Sequence, residues 1–207
     1  MSEKLLSREH GVKVGRFALF FGCLMLIVLW LFFLHLTVNV TASMPIGIYR
    51  LHALDRPVMR GDIVQVCPPA QAAKFISTKE GNKIRGTCIY QTAPLLKFVA
   101  AVGGDVVDLR DNRVVVNGIT LPGSATLPSP EGSFPAPRVT RGRYVLGADQ
   151  LWLWTPYYRS LDSRYFGPVK ISGVRWLAWP IFTGGRWADW REGLRSLADI
   201  SLRSKKN

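Results

Sequence analysis

Leu95-Leu96-Lys97-Phe98-Val99-Ala100-Ala101-Val102-Gly103-Gly104-Asp105-Val106-Val107-Asp108-Leu109, followed after a short gap by Val114-Val115-Val116-Asn117-Gly118-Ile119-Thr120-Leu121, is the stretch that decides the fold. Its apolar runs are rich in β-branched residues and bounded by glycine and aspartate, so they read as strands. Asn117-Gly118 between two such runs is the strongest short-range hairpin signal. Gly103-Gly104-Asp105 reads as a turn and nothing more. Working outward, Gly47 to Leu51 and Asp62 to Val66 are further strands, the second introduced by Arg60-Gly61. Arg143 to Leu146, Leu151 to Trp154 and Ile171 to Phe182 complete the set. Pro68 to Thr87 is expected to be a polar loop, and the Pro-, Gly- and Ser-rich residues between Leu121 and Arg141 a second one. There is no internal repeat. The sum is an all-β domain of antiparallel sheets.

Phe17 to Leu34 is an apolar run without a charge, continuing past His35 to Leu36. That length spans a hydrocarbon core. Lys4, Arg8, Lys13 and Arg16 precede it against Glu3 and Glu9, which keeps the N-terminal side cytoplasmic. The expected organisation is a cytoplasmic tail (1–16), one transmembrane helix (17–36) and an exported domain (37–207), periplasmic in a Gram-negative bacterium and tethered to the inner membrane. A cleaved signal peptide competes with the anchor, since Thr41-Ala42-Ser43-Met44 resembles a small-residue cleavage site.

The net charge of +13 over 207 residues invites a nucleic-acid reading. An exported domain meets anionic lipid headgroups first, so the membrane is the simpler partner and nucleic acid the weaker. Cys23 falls inside the apolar run. Cys67 and Cys88 fall in the exported domain, where oxidation is permitted, and a disulfide between them is expected. Two cysteines and one exported histidine, His52, do not make a zinc site, so no metal is expected. Near the C-terminus Trp187, Trp190, Leu194, Leu197 and Ser201 recur at three- and four-residue spacing. Asp189 and Glu192 come early and Arg195 and Arg203 late, as an amphipathic helix requires. Packing on the domain and lying in the membrane interface both fit it.

Chemistry enters at Asn39-Val40-Thr41-Ala42-Ser43-Met44-Pro45-Ile46-Gly47-Ile48-Tyr49. From Leu36 to Ser43 the chain reaches at most about 23 Å, so the Ser43 hydroxyl is held near the bilayer surface. Alone, Ser-Met-Pro is a polar exit and a turn. A nucleophilic serine needs a base, and His10 and His35 lie on or below the span while His52 leads away from Ser43. Lysine serves instead when burial leaves it neutral. Lys97 stands in an apolar strand, whereas Lys74, Lys79, Lys83, Lys205 and Lys206 stand among polar residues. A snorkelling lysine on an edge strand is the competing explanation.

Ser43-Met44-Pro45 beyond an anchor, Arg60-Gly61-Asp62-Ile63-Val64, Leu96-Lys97-Phe98-Val99-Ala100-Ala101-Val102-Gly103-Gly104-Asp105, Val115-Val116-Asn117-Gly118 and Asp162-Ser163-Arg164-Tyr165-Phe166-Gly167-Pro168-Val169 occur in that order. The ordered set, from about Val40 to Val169, resembles the type I signal peptidase family. The wording around Ser43 and Tyr165 resembles its conjugative-transfer (TraF-type) branch, whose members process pilin precursors. The resemblance implies a signal-peptidase-like β-domain and a Ser/Lys dyad, with Ser43 as nucleophile and Lys97 as general base. It implies an oxyanion hole made of the Ser43 N–H and the Thr41 hydroxyl. Ser160 would bond the Lys97 amine, and Asp162 would hold the site together by pairing with Arg164. Housekeeping members carry Gly-Asp-Asn before this segment; here Trp154-Thr155-Pro156 takes its place.

The expected function is therefore a membrane-anchored serine endopeptidase, needing no cofactor, that removes leader peptides from exported precursors such as pilin. Release by water and release by the substrate's own amino terminus, giving a cyclic pilin, both remain open. The alternative is a non-catalytic tethered β-domain in a secretion or conjugation pore.

Overall fold

The computed structural model describes residues 19–26, 34–79, 85–110, 113–125, 139–184, 193 and 195–200. The chain divides into two compact units, Met1–Leu36 and Thr37–Asn207. In the first, residues 19–26 are helical and exposed. The expected tail 1–16 and much of the expected span lie outside the described residues, and among those described no helix is long and apolar enough to cross a membrane. The helix does not reach Leu36: His35 has a left-handed φ of 48° and a strand begins directly after it.

In chain order the elements are β1 (Leu36–Asn39), β2 (Gly47–His52), β3 (Ile63–Val66), α1 (Ala70–Lys79), β4 (Leu95–Ala101), β5 (Val106–Leu109), β6 (Val114–Val116) and β7 (Ile119–Thr120). There follow β8 (Gly142–Val145), β9 (Gln150–Trp154), α2 (Ser163–Phe166), β10 (Val169–Lys170) and β11 (Val174–Thr183). They form a seven-stranded sheet, β1-β2-β11-β3-β4-β9-β10, and a four-stranded sheet, β7-β6-β5-β8. Pairings such as Val64 opposite Lys97, Phe98 opposite Trp154 and Val107 opposite Val116 are antiparallel. The expected antiparallel β-domain is what the chain forms.

Residues of both sheets share one core. Phe98 and Ala100 of β4 and Trp152 and Trp154 of β9 meet Val107, Leu109, Val114 and Val116 of the small sheet. Alternation along β5 and β6 is what turns those valines inward. The opposite face of the large sheet buries Val64, Val66, Val99, Leu151, Leu153 and Leu177. Leu197 and Ile200 of the C-terminal helical residues belong to the first core, so this part of the predicted helix packs on the domain. Trp187, Trp190, Leu194 and Ser201 lie outside the described residues.

Three expectations need correcting. The segment after Pro68 contains α1, in which Ala72 and Ala73 are fully buried. Alanine-rich Ala70-Gln71-Ala72-Ala73 favours helix, and small side chains let it approach the domain without a wide apolar stripe. Cys67 and Cys88 flank it and are bonded, with Cα atoms 5.5 Å apart.

Asp105 is more than a turn residue. It is 3% exposed, receives the Arg60 guanidinium, and accepts from Val102 N–H at 2.8 Å and Asn117 Nδ2 at 2.8 Å. Burial alone would raise its pKa, but these donors outweigh burial and hold the carboxyl below its ordinary value. The contact ties the entry to β3 to the hairpin of the small sheet. Asn117 and Gly118 have φ of 48° and 82°, as a two-residue hairpin turn demands.

The third correction is β1 itself. No element was expected between the apolar run and the Ser43 turn, and Leu36–Asn39 form the edge strand that leads into it.

Candidate active site

β1 ends at Asn39, and the chain then turns through Thr41-Ala42-Ser43-Met44 before β2 starts at Gly47. Two buried side chains fix the far side of the turn. Met44 is 1% exposed within the core, and the buried Tyr49 hydroxyl donates to the Pro45 carbonyl at 2.7 Å. Asn39 fixes the near side. Its Nδ2 faces the carbonyls of Thr41 (2.9 Å), Met44 (2.8 Å) and Pro45 (3.1 Å). Its Oδ1 accepts from Thr41 N–H at 3.2 Å and from the Thr41 hydroxyl at 2.8 Å. Thr41 Oγ1 lies 3.1 Å from Ser43 Oγ. Among the described residues the Ser43 N–H has no hydrogen-bond partner.

Lys97 sits in the middle of β4, opposite Val64, on the face that carries Val99. It is 2% exposed, which excludes the snorkelling alternative. Its Nζ donates to Ser160 Oγ at 3.0 Å. Burial lowers its pKa to about 8; the Asp162 carboxylate pulls it back up and the Arg164 guanidinium presses it down. Near that pH a large fraction of the amine is neutral and able to accept a proton.

Ser160 is held from behind. Asp162 caps the start of α2 through Arg164 N–H at 3.2 Å and forms a two-point pair with the same residue's guanidinium at 2.8 and 2.7 Å. Both side chains are fully buried. A buried pair is tolerated only when its remaining hydrogens find acceptors. Those of Arg164 do, at the carbonyls of Gly123 (2.9 Å), Ala125 (3.2 Å), Thr155 (3.3 Å), Tyr157 (3.0 Å) and Ser160 (3.4 Å). One residue on, the Tyr165 carbonyl accepts from Val139 N–H at 2.9 Å. In the Trp154-Thr155-Pro156 segment, Trp154 is in the core and Thr155 N–H donates to Asp162 at 3.3 Å.

The sequence-predicted residues, with Asn39 added by the structure, form two groups. Asn39, Thr41 and Ser43 make one; Lys97, Ser160, Asp162 and Arg164 make the other. Among the described residues no hydrogen bond joins Ser43 to Lys97. His52 belongs to neither; its ring stacks on Trp179 with centroids 4.2 Å apart. Among the described residues no cluster of three or more His, Cys, Asp or Glu could hold a metal ion. The sequence reading did not single out Asn39, whose side chain holds the Ser43 turn. Its signal was an asparagine two positions before Thr41, the spacing at which an Asx side chain caps the next turn.

The family profile described as "Signal peptidase, peptidase S26" matches residues 10–177. The chain is 39% identical over 145 residues to the conjugal transfer protein TraF of Agrobacterium tumefaciens (strain 15955), covering 70% of this chain and 81% of that one. It is 36% identical over 148 residues to the plasmid transfer protein TraF of Escherichia coli, covering 70% and 82%. The crystal structure of a signal peptidase I from Enterococcus faecalis V583 aligns with a TM-score of 0.33 and 17% identity, over 59% of this chain and 97% of that one. A profile match across most of the chain, with relatives that share more than a third of their aligned residues, places it: the chain belongs to the signal peptidase S26 family.

Proposed function

We propose that this chain is a serine endopeptidase that removes leader peptides from exported precursors at the outer face of the inner membrane. The observation that carries the proposal is Lys97: a fully enclosed amine, lowered to about 8, whose hydrogen-bond partner is a hydroxyl rather than a carboxylate. A structural lysine in such a strand would be expected to pair with an acid. Ser43 Oγ attacks the scissile carbonyl carbon as its proton passes to Lys97 Nζ. The oxyanion is received by Ser43 N–H and the Thr41 hydroxyl. Collapse breaks the C–N bond, the departing amine takes the proton from Lys97, and the acyl group stays on Ser43. Water then attacks that ester with Lys97 again as base.

The names of the relatives favour a precursor used in conjugation, with pilin the natural candidate. The apolar run at 17–36 supports the anchor. Exposed Val38, Val40, Ile46, Ile181 and Phe182 crowd around the Ser43 turn, because Phe182 pairs with Ile48 and Gly184 N–H bonds the Ile46 carbonyl. Apolar side chains gathered this way suit a lipid surface better than water.

The experiment uses full-length protein in detergent and a leader-peptide substrate. Ser43→Ala, Lys97→Ala and Lys97→Arg should each lower kcat by at least about a thousandfold, the arginine because a guanidinium stays protonated. Near-normal cleavage by any one of them ends the dyad. A second reading, the non-catalytic tethered domain, draws on the missing Ser43–Lys97 hydrogen bond. Absence of Ser43-dependent cleavage across several precursors at pH 6 to 10 would select it.

A further inference from the structure

We propose that Asn39 is the positioning residue of the Ser43 turn: it fixes the Thr41 hydroxyl oxygen beside Ser43 and sets the direction of the hydroxyl chain that runs through them. In its catalytic part this rests on the peptidase reading above.

The direction follows from counting hydrogens. The Asn39 amide orientation is settled by its surroundings, since Nδ2 faces three main-chain carbonyls and Oδ1 is the atom that meets the Thr41 N–H and hydroxyl. Thr41 has one hydroxyl hydrogen, and it goes to Asn39 Oδ1 at 2.8 Å. Between Thr41 and Ser43, 3.1 Å apart, the hydrogen must therefore come from Ser43. In the free protein the chain runs from Ser43 to Thr41 to Asn39, each bond polarising the next. Until a substrate arrives, the Ser43 hydroxyl is held with its hydrogen pointing at Thr41 Oγ1.

The same arrangement allows Thr41 to change roles without moving. Turning its O–H bond from Asn39 Oδ1 to a substrate oxygen requires no change of χ1. Asn39 keeps its grip meanwhile, because the same Oδ1 also accepts from Thr41 N–H at 3.2 Å. Threonine has more than one accessible χ1 outside a helix, and among the described residues the Thr41 hydroxyl bonds only to Asn39 and Ser43, so these two select its rotamer. Asn39 is 9% exposed, so its amide bonds are not traded freely for water.

Two variants separate this role from simple support of the turn. Asn39→Ala removes every bond. Asn39→Ser leaves an oxygen able to take Thr41 N–H, as Ser side chains do two residues back from a turn, but too short to reach the Thr41 hydroxyl as well. Thr41→Val removes the hydroxyl and leaves Asn39. Each is made in the full chain, in detergent, with thermal melting to report folding. The first readout needs no activity: three-bond couplings from the Thr41 methyl carbon to its backbone N and C′ report χ1. They should show one rotamer in the wild type and averaging in Asn39→Ser and Asn39→Ala. A single unchanged rotamer in folded Asn39→Ser overturns the proposal, whether or not the protein is a peptidase.

The second readout is cleavage. Asn39→Ser and Asn39→Ala should lower kcat about tenfold or more with KM within about threefold, as for loss of alignment in the transition state. On the Thr41→Val background the Asn39 substitutions should add less than about threefold. Full multiplication of the two losses would mean that Asn39 acts elsewhere and would overturn the positioning role. Wild-type protein that shows no Ser43-dependent cleavage removes the peptidase reading and leaves the rotamer result to decide the inference.

Discussion

Lys97 carries opposite consequences for stability and for chemistry. Its pKa in the folded chain is about 8, well below that of an exposed lysine. Between that value and about 10.5 the unfolded chain binds more protons than the folded one, so stability rises as pH climbs through this window. At pH 7 the burial of Lys97 is a full cost. Lys97→Met, of similar length and without charge, should therefore raise Tm at pH 7 by a few degrees while abolishing cleavage. A general base must be unprotonated, so kcat/KM of the wild type should rise with pH and level off above about 8. An acid limb near 6.5 that disappears in His52→Ala would assign the base to histidine and sink this account. The burial of Lys97 was legible in the sequence because a charge inside an apolar strand breaks a local rule, and Ser43 drew attention as a hydroxyl in a Ser-Met-Pro turn soon after an apolar run. Asn39 was not legible, because an asparagine at the end of a strand breaks no rule. What it does depends on which carbonyls the turn brings to its amide.

The strands were legible as elements, since their alternation and turn residues are local properties. The Asn117-Gly118 hairpin appears with the expected strands on either side. β1 and α1 were not, each for its own reason. Leu36–Asn39 carries too little pattern in four residues and follows directly on an apolar run. α1 has alanines where a stripe of larger residues would have announced a helix. The disulfide across α1 spans 21 residues of separation and should contribute about 3 kcal/mol by restricting the unfolded chain. Cys67→Ser with Cys88→Ser should lower Tm accordingly, and cleavage below the new Tm should persist within a few fold. Loss of cleavage in protein that still melts cooperatively would show that the bridge shapes the site rather than the scaffold. Among the described residues no hydrogen bond joins either cysteine to Ser43 or Lys97, which is why the stability effect is expected alone.

Sheet order is the least local property of the molecule. β11 lies between β2 and β3, more than a hundred residues from either, and no run of residues announces that pairing. Its long strand, with a shift of register between Pro180 and Phe182, brings the far end of the chain beside the Ser43 turn. The C-terminal residues close the core in a similar way. Leu197 is 1% exposed and Ile200 0%, among the tryptophans of β9. Leu197→Ala and Ile200→Ala should each cost about 2–5 kcal/mol, seen as a fall in Tm in detergent without added lipid. An unchanged Tm would mean that these residues do not pack on the domain.

Arg164 and Tyr165 are adjacent on one short helix, and between them they hold two stretches of chain that are distant in sequence from the helix. Arg164 takes the carbonyls of Gly123 and Ala125, and Tyr165 takes the amide of Val139. The Arg164 guanidinium also reaches the Ser160 carbonyl. The short helix is thus a clasp, and what it grips on either side is kept in register with the hydroxyl that meets Lys97.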